Sequence, residues 1–314
     1  MTTETLRVRL TSRRNLTPQI REFTLAAAEG GALPDHTPGS HITVRTPSGA
    51  MRRYSLVNDG EAPEHYTIAV KREPQSRGGS QSMHDDATVG TELDIEPPIN
   101  DFELTEANDY LLIAGGIGVT PIYSMARKLD RQNSPFHIIY CTRSPEDTAY
   151  LEDMQSAFGD RLTLHHDGGE PDRAYDFWDH FEEPKDQHVF CCGPKPLMEE
   201  VQGVSGHWNE GRVHFEDFKP VEVVRADDTP FEVELKASGR TIQVPADRTI
   251  LETIRQAGIP TVSSCESGTC GTCKTILIDG TPDHRDMVLM EHEKENRIMI
   301  CVSRALSERL VLDL

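Results

Sequence analysis

The stretch "SSCESGTCGTCKTILIDG", residues 263–280, places three cysteines within nine residues. Their spacing is Cys265-x4-Cys270-x2-Cys273, and the last cysteine of the chain, Cys301, follows further on. This is the plant-type pattern in which four thiolates hold the two irons of a [2Fe–2S] cluster. The stretch therefore predicts a cluster ligated by these four cysteines.

Other uses of clustered cysteines are weaker interpretations. A zinc site would usually pair C-x2-C with a second such pair or with two histidines, which are absent here. A disulfide knot is disfavoured because the chain has seven cysteines, an odd number, and because its start, "MTTETLRVRL", carries no secretory signal. Zinc and a thiol redox switch remain the alternatives to the iron–sulfur cluster.

The composition restricts the compartment and the partners. The chain has 52 acidic and 32 basic residues and a formal charge of −20, so a nucleic-acid backbone would be repelled. No apolar run approaches the roughly 20 residues of a membrane helix. We therefore expect a cytoplasmic monomer without a nucleic-acid or membrane partner. Solubility is the simplest reason for the acidity, and a basic docking face on a protein partner is the alternative.

The order of strand and helix patterns predicts several domains. Short alternating segments such as "HITVRT" (41–46) and "HYTIAVKR" (65–72) predict an antiparallel β-barrel. From residue 110, buried strands alternate with helical stretches such as "TAYLEDMQSAFG" (148–159), which predicts a parallel, doubly wound sheet. A polar, proline-bounded stretch at 219–230 predicts a linker before the cysteine-rich region.

The middle region offers a dinucleotide site in "LLIAGGIGVTPIYSMARKL" (111–129). A buried strand runs into a glycine turn, Thr120 is placed to cap a helix, and Pro121 suits the first helical position. The helix amides would then face a pyrophosphate. A second turn, Cys192-Gly193-Pro194, ends a later strand, where open parallel sheets bind ligands. Either turn alone also fits a plain strand-to-helix connection, but together they predict dinucleotide binding.

A hydride donor delivers two electrons while a [2Fe–2S] cluster accepts one, so a flavin is expected between them. The barrel region provides "RRYSLVN" (52–58), in which a guanidinium, an aromatic ring and a hydroxyl follow one another on a strand. Arg52, Tyr54 and Ser55 would meet a phosphate, the isoalloxazine ring and its N5 or O4 edge. An ordinary barrel strand is the alternative.

A second flavin motif lies in "KREPQSRGGSQSMHD" (71–85), which begins at Lys71. Its Gly78-Gly79-Ser80 turn, followed by Ser82 and a short helix, resembles an anion nest. An ordinary loop is the alternative for this stretch taken by itself. Its closeness in sequence to the first motif favours the flavin interpretation.

These motifs, in this order and with Gly115-Gly116-x-Gly118-x-Thr120-Pro121 between them, resemble the phthalate dioxygenase reductase family over essentially the whole chain. The resemblance implies an FMN-binding barrel at 1–105, an NADH-binding domain at 106–224 and a β-grasp ferredoxin-type domain at 225–314. The C-terminal position of the ferredoxin favours FMN over FAD.

The resemblance also implies a function. The chain would be the reductase component of a two-component Rieske-type oxygenase that acts on aromatic rings or removes O-methyl groups. Electrons would pass from NADH to FMN, to [2Fe–2S] and then to the oxygenase. A self-sufficient NADH-dependent reductase of a cytochrome or quinone is the alternative, and a redox sensor that does not turn over is a second one.

The family resemblance assigns roles to single residues of the flavin site. Arg52 and Ser80 would contact the flavin phosphate. Tyr54 would pack on the isoalloxazine ring, and Ser55 would form a hydrogen bond near N5. Phe218 would cover the flavin face that the nicotinamide must reach, with a core aromatic at a domain boundary as the alternative.

Two features of the nucleotide region leave choices open. Cys192 would lie near the nicotinamide, with structural packing as the alternative. Arg143 and Ser144 sit where the adenosine ribose should lie, and neutral Ser144 leaves open the binding of a 2′-phosphate. Glu146 or Asp147 would supply the acid that excludes it, so we expect NADH.

The predicted residues divide into cofactor contacts and metal ligands. The cofactor contacts are Arg52, Tyr54, Ser55, Lys71, Gly78, Gly79, Ser80, Ser82, Gly115, Gly116, Gly118, Thr120, Pro121, Arg143, Cys192, Gly193, Pro194 and Phe218. The metal ligands are Cys265, Cys270, Cys273 and Cys301. We expect no general acid or base, because the work of such a protein is to position cofactors and to tune their potentials.

Overall fold

The computed structural model describes residues 5–58, 60, 63–74, 78–209, 211–218, 225, 227–263, 268, 271–286 and 288–314. The chain forms two compact units, Met1–Val204 with Trp208–Val213, and Ser205–His207 with His214–Leu314. Among the helices in these described ranges, none has the length and apolar character needed to cross a bilayer.

The first unit begins with an antiparallel sheet. Its strands are β1 (Leu6–Asn15), β2 (Ile20–Ala27), β3 (Ser40–Arg45), β4 (Met51–Ser55), β5 (His65–Lys71), β6 (Glu92–Ile95) and β7 (Ile99–Asn100). They run in the order β4-β3-β6-β1-β2-β5, with β7 paired to β3. An antiparallel bridge between Leu56 and Ile68 joins the two ends, so the sheet closes into a barrel. Helix α1 (Gly79–Asp85) follows β5.

Period-two alternation determines which side chains fill the barrel. In β1, Val8 and Leu10 are fully buried in the barrel core. The arginines beside them, Arg7 and Arg9, point outward, and Arg7 forms an ion pair with Asp94 of β6 at 2.9 Å. The motif "LRVRL" is therefore a barrel strand with an apolar inner face and a basic outer face.

A five-stranded sheet with helices follows. Its strands are β8 (Tyr110–Gly115), β9 (Phe136–Thr142), β10 (Leu162–His166), β11 (His188–Cys192) and β12 (Val213–Glu216), and its helices are α2 (Val119–Arg131), α3 (Leu151–Phe158), α4 (Trp178–Phe181) and α5 (Lys195–Ser205). The order is β10-β9-β8-β11-β12, and β8 to β11 pair in parallel. The chain moves outward from β8 to β10 and then adds β11 on the other side of β8. The topological switch point therefore lies between β8 and β11, where doubly wound sheets bind ligands.

Glycines allow two turns to meet at this switch point. A Cβ on Gly118 would lie 2.2 Å from the carbonyl oxygen of Cys192, and a Cβ on Gly115 would lie 2.5 Å from Cδ of Pro194. A side chain at Gly118 would have to displace backbone. The turn after β8 is thus packed directly against the turn after β11.

The second unit contains a β-grasp sheet. Its strands are β13 (Phe231–Leu235), β14 (Arg240–Val244), β15 (Lys274–Asp279), β16 (Pro282–Asp283), β17 (Arg297–Met299), β18 (Arg304–Ala305) and β19 (Arg309–Leu312), and its helices are α6 (Ile250–Gln256) and α7 (Glu291–Lys294). The main sheet has the order β14-β13-β19-β15-β17, and β16 pairs with β18. Strands β13 and β19 are parallel, while their other neighbours are antiparallel.

Helix α6 is fixed at its start by a capping box. Thr249 Oγ1 accepts a hydrogen bond from the Glu252 amide at 2.9 Å, and the Glu252 carboxylate accepts one from the Thr249 amide at 2.9 Å. This pairing satisfies amide donors that a helix end leaves open. Ile250, Leu251 and Ile254 then join the core of the unit.

The predicted fold class is confirmed, with an antiparallel barrel, a doubly wound sheet and a β-grasp unit. One predicted helix is shorter than expected. The stretch 148–159 becomes helical only at Leu151, because Tyr150 has a left-handed backbone with φ 60°. Part of the predicted linker is not a separate connection but belongs to the second unit. Arg225 and residues 227–230 belong to the second unit, while 219–224 and 226 lie outside the described residues.

The expected start of helix α2 is wrong by two residues. The helix begins at Val119, so Pro121 is the third helical residue. Thr120 Oγ1 donates to the Ile117 carbonyl at 3.1 Å and makes no cap. A 3₁₀ turn at Gly116–Gly118 starts the helical backbone before the position at which Thr120 was expected to cap it.

Replacing Gly118 with alanine should destabilise the first unit by about 3 kcal/mol or more, because the added Cβ would meet the Cys192 backbone. Urea unfolding followed by tryptophan fluorescence measures this, since the chain's two tryptophans, Trp178 and Trp208, both lie in the first unit. Gly203→Ala is the matched control. Open space surrounds that position, so a gain of up to about 1 kcal/mol is expected. Equal stability of the two variants would contradict the close approach.

Candidate functional site

The predicted flavin strand is β4, where neighbouring residues point to opposite faces. Tyr54 lies opposite Ile42 and Arg52 lies opposite Val44 in the β3–β4 register, so both share the face that carries barrel-core residues. Tyr54 packs against that core, and burial raises its pKa to about 12. The ring therefore stays an uncharged phenol that can present a flat surface to a ligand.

The glycine loop lies directly beside Arg52. Gly78 has a left-handed backbone with φ 87°, and helix α1 begins at Gly79. A Cβ on Gly79 would lie 2.8 Å from Nε of Arg52. The structure thus brings the two predicted flavin motifs into contact. A guanidinium next to a glycine turn suits a phosphate group.

The remaining predicted residues of the loop have partners within the protein. The Ser80 hydroxyl accepts from the Glu73 amide at 3.1 Å. The Ser82 hydroxyl donates to the Gly79 carbonyl at 3.0 Å and accepts from the Ser48 amide at 3.2 Å. These bonds hold the loop in shape. Lys71, at the end of β5, forms a 3.0 Å ion pair with Glu73.

Ser55 and His41 form a buried polar pair on the other face of the strands. They lie directly opposite each other, and the bond from the Leu56 amide to the Ser40 carbonyl identifies theirs as a non-hydrogen-bonded pair, whose side chains lie close. Each is 4% exposed. Within the described part of the chain, neither Ser55 Oγ nor His41 Nε2 has a hydrogen-bond partner.

Sequence reasoning missed His41. Burial, with a smaller contribution from the charge of Arg53, lowers its pKa, so the imidazole is neutral at pH 7. Two buried polar atoms without partners are the kind of feature that a bound group satisfies. Only the strand register connects His41 to Ser55, and a single strand pattern does not contain that register.

The predicted nucleotide turns meet at the switch point. Gly116 has φ 53°, which favours glycine, and the Gly118 contact brings the first turn against Cys192 and Gly193. Cys192 is 1% exposed and belongs to the core, so packing accounts for it as the structure stands. The two turns together form one edge suited to a dinucleotide.

The residues after β9 bear on whether the predicted site accepts a ribose hydroxyl or a 2′-phosphate. Ser144 Oγ donates to Asp147 Oδ2 at 3.1 Å, so a carboxylate is held beside the neutral serine. The Arg143 carbonyl accepts from the Gly168 amide at 2.9 Å, and its side chain lies beside Gly169. A carboxylate at this place favours a ribose hydroxyl over a phosphate.

Two of the four predicted cluster ligands are described, and Cys265 and Cys270 lie outside the described residues. Cys273 and Cys301 are buried, 4% and 2% exposed. Between the other cysteines, Gly268 has φ 79°, and a Cβ there would lie 2.8 Å from Cγ2 of Val302. Gly268 therefore packs against Val302, the residue that follows Cys301. Buried cysteines at positions 273 and 301 suit the predicted iron–sulfur cluster.

Phe218 stays a prediction. Its side chain is 42% exposed, and it belongs to the second unit. An aromatic ring of this exposure is available for contact with another group, which fits the predicted role better than a place in a core.

Known proteins match the chain along its length. The family models "Oxidoreductase NAD-binding domain" and "2Fe-2S iron-sulfur cluster binding domain" match residues 112–203 and 233–306. A phthalate 4,5-dioxygenase oxygenase reductase subunit of Pseudomonas putida is 50% identical over 94% of this chain and 92% of its own length. The chain belongs to the phthalate dioxygenase reductase family.

Further similarity supports this membership. The phthalate dioxygenase reductase of Burkholderia cepacia is 46% identical over 98% of this chain and 97% of its own. A solved phthalate dioxygenase reductase, described as "a modular structure for electron transfer from pyridine nucleotides to [2Fe-2S]", matches with 46% identity and a TM-score of 0.69 over 99% of this chain and 98% of that one.

The cofactors follow from family membership and from the residues present. This member of the phthalate dioxygenase reductase family is an oxidoreductase that uses NADH, FMN and a [2Fe–2S] cluster. The described residues fit each of them. Arg52 adjoins a glycine turn of the kind that suits a phosphate, the turns after β8 and β11 meet where a dinucleotide is predicted, and two buried cysteines stand at predicted ligand positions.

Replacing Arg52 with glutamine should weaken FMN binding about 10- to 100-fold, because a charge-assisted hydrogen bond to the phosphate is lost. Fluorescence titration of flavin-stripped protein with FMN measures the change. Arg9→Gln is the matched control, since it removes the same charge from the exposed outer face of β1. A similar FMN affinity in both variants would exclude Arg52 from the phosphate site.

Proposed function

We propose that this chain is the reductase component of a Rieske-type oxygenase system and delivers electrons from NADH, by way of FMN and [2Fe–2S], to a separate oxygenase. The observation that carries the proposal is the 50% identity to an oxygenase reductase subunit over 94% of the chain. A vanillate O-demethylase oxidoreductase from a Pseudomonas strain, 38% identical over 98% of the chain, supports an acceptor of the same class.

The residues have distinct tasks under this proposal. The Arg52 guanidinium and the Gly78-Gly79-Ser80 loop hold the FMN phosphate, Tyr54 supports the ring, and Ser55 supplies a hydroxyl at its edge. When bound, FMN supplies the ability to accept a hydride and to release electrons one at a time. No side chain is required as a general acid or base.

The nucleotide and cluster residues complete the proposed sites. The two turns at the switch point and the first turn of helix α2 hold the dinucleotide, through Gly115, Gly116, Gly118, Thr120, Pro121, Cys192, Gly193 and Pro194. Arg143 lies at the adenosine end, and Phe218 covers the flavin ring. The cluster ligands are Cys265, Cys270, Cys273 and Cys301.

We further propose the domain limits 1–105 for the FMN barrel, 106–224 for the NADH domain and 225–314 for the ferredoxin domain. The breaks between the barrel, the doubly wound sheet and the β-grasp sheet support these limits. We also propose a cytoplasmic monomer. Seven cysteines in a chain with a thiolate-bound cluster suit a reducing compartment.

The test of this function is reconstitution. The purified holoenzyme is combined with NADH and with purified Rieske oxygenases that act on phthalate or on methoxybenzoates. Product should form only when both proteins are present, in proportion to the NADH consumed. Substrate oxidation without an oxygenase, or failure with every such oxygenase while cytochrome c is still reduced, would favour a self-sufficient reductase.

Replacing Cys301 with serine should lower the rate of NADH-dependent cytochrome c reduction at least tenfold. Reduction of ferricyanide by the flavin should continue. The reason is that a cluster ligand is lost, whereas the barrel and the nucleotide turns are untouched. Cys141→Ala is the matched control, because Cys141 is a buried thiol at a strand end away from the cysteine motif. Equal loss of both activities in Cys301→Ser would rule out the proposed order of electron transfer.

A further inference from the structure

The second unit contains a buried group of two arginines and two aspartates. Arg285 donates to Asp228 through both terminal nitrogens, at 2.9 and 2.5 Å, and through Nε to Asp283 at 2.7 Å. Nε of Arg304 lies 3.3 Å from the same Asp228 carboxylate. The side chains of Arg285, Arg304 and Asp228 are 3%, 2% and 6% exposed. We call these four residues the linker clamp.

One side of the linker clamp holds the end of the predicted linker. The Arg225 amide donates to Asp228 Oδ2 at 2.8 Å, and the Asp228 amide donates back to the Arg225 carbonyl at 3.1 Å. Arg304 donates to the Thr229 carbonyl at 3.2 Å, and its guanidinium lies 5.1 Å from the ring centre of Phe231. The chain that leads into β13 is thus docked on the body of the unit.

The other side of the linker clamp contacts Ser303, which lies close in sequence to the predicted ligand Cys301. The Arg285 amide donates to Ser303 Oγ at 3.3 Å, and Ser303 comes two residues after the predicted ligand Cys301. The neighbouring Asp286 accepts from Ser303 Oγ at 3.3 Å, and its Cα lies 3.1 Å from where a Gly268 Cβ would be. The clamp therefore connects the end of the linker to Ser303, close in sequence to Cys301, and through the adjacent Asp286 to Gly268.

We propose that the linker clamp makes Arg225 and residues 227–230 a fixed part of the ferredoxin domain, and that Asp228 is a positioning residue for electron transfer from flavin to cluster. This inference rests on the proposed electron order. Docking these residues shortens the tether that precedes the domain. The effective concentration of one tethered module at another depends on the length of the tether and falls once the tether is longer than the distance to be spanned, so we expect the transfer step to depend on this docking.

Charge balance explains why the clamp holds. Two guanidiniums face two carboxylates, and Arg285 keeps the pKa of Asp228 near 2, so that carboxylate is ionised. Without Asp228, the two nearly inaccessible arginines would lose a carboxylate that both contact, and they would keep Asp283 and, for Arg304, the weaker attraction of Asp247. Loss of one partner from a buried ion pair is strongly unfavourable, because the remaining charge must regain water. We expect the end of the linker to move away from the two arginines in that case, because water can then solvate their charges.

The experiment compares Asp228→Asn with Asp227→Asn in the full-length holoenzyme. Asp227 is the exposed neighbour, so both variants change the net charge equally. Stopped-flow absorbance after mixing with NADH separates flavin reduction from cluster reduction. Asp228→Asn should leave flavin reduction unchanged and slow the flavin-to-cluster step about threefold or more. Amide hydrogen exchange in residues 227–229 should accelerate in this variant, and Asp227→Asn should match the wild type in every measurement.

A double variant, Asp228→Asn with Arg285→Met, separates positioning from stability. Replacing both partners of a buried pair by uncharged groups is often neutral, so the temperature at which the cluster bleaches should recover towards that of the wild type. The slow transfer and the fast exchange should remain, because the linker end is still undocked.

Two results would overturn the inference. One is an Asp228→Asn variant whose transfer and exchange rates match those of Asp227→Asn. The other is a double variant that recovers wild-type transfer together with its stability, which would make the clamp structural only. A wild-type protein whose cluster is not reduced after its flavin would refute the proposed electron order itself, independently of the clamp.

Discussion

Electron counting is the constraint on which the organisation of this chain depends. A hydride carries two electrons, and a [2Fe–2S] cluster accepts one, so the two cannot exchange directly. The chain needs a site for the hydride donor, a site for a flavin and a thiolate site, and each is built on a different sheet. The barrel places Arg52 beside a glycine turn, the doubly wound sheet brings two turns together, and the β-grasp unit buries thiols next to a glycine loop.

Motifs with fixed spacing predicted the [2Fe–2S] cluster and the dinucleotide site, strand and helix patterns predicted the fold class, and the family resemblance supplied FMN. A glycine-rich turn between a buried strand and a helix can be recognised from neighbouring residues alone, as at Gly115, Gly116 and Gly118, although the Cys192 carbonyl that Gly118 approaches is distant in sequence. Cysteines at ligand spacing are equally local, because the metal sets the separation. The order of these motifs along the chain then distinguished one domain arrangement from others.

Features that depend on partners distant in sequence could not be predicted. His41 is opposite Ser55 only through the register of β3 and β4. In the sequence, Asp228 is one acid in a polar linker. Only the fold brings Arg285 and Arg304 to it. The predicted start of helix α3 was wrong for a related reason. The left-handed Tyr150 packs on Tyr123, with ring centres 5.0 Å apart, and that contact lies outside any helical pattern.

The docked linker end also bears on how such modules can be exchanged between proteins. A fragment cut immediately before β13 would contain every strand of the β-grasp sheet and all four cysteines, and by sequence alignment it would look complete. It would nevertheless leave Arg285 and Arg304 without the carboxylate that neutralises them. Gene fusions that transplant this ferredoxin, whether natural or engineered, therefore have to carry Arg225 to Pro230 with it. The functional border of the module lies upstream of its first strand.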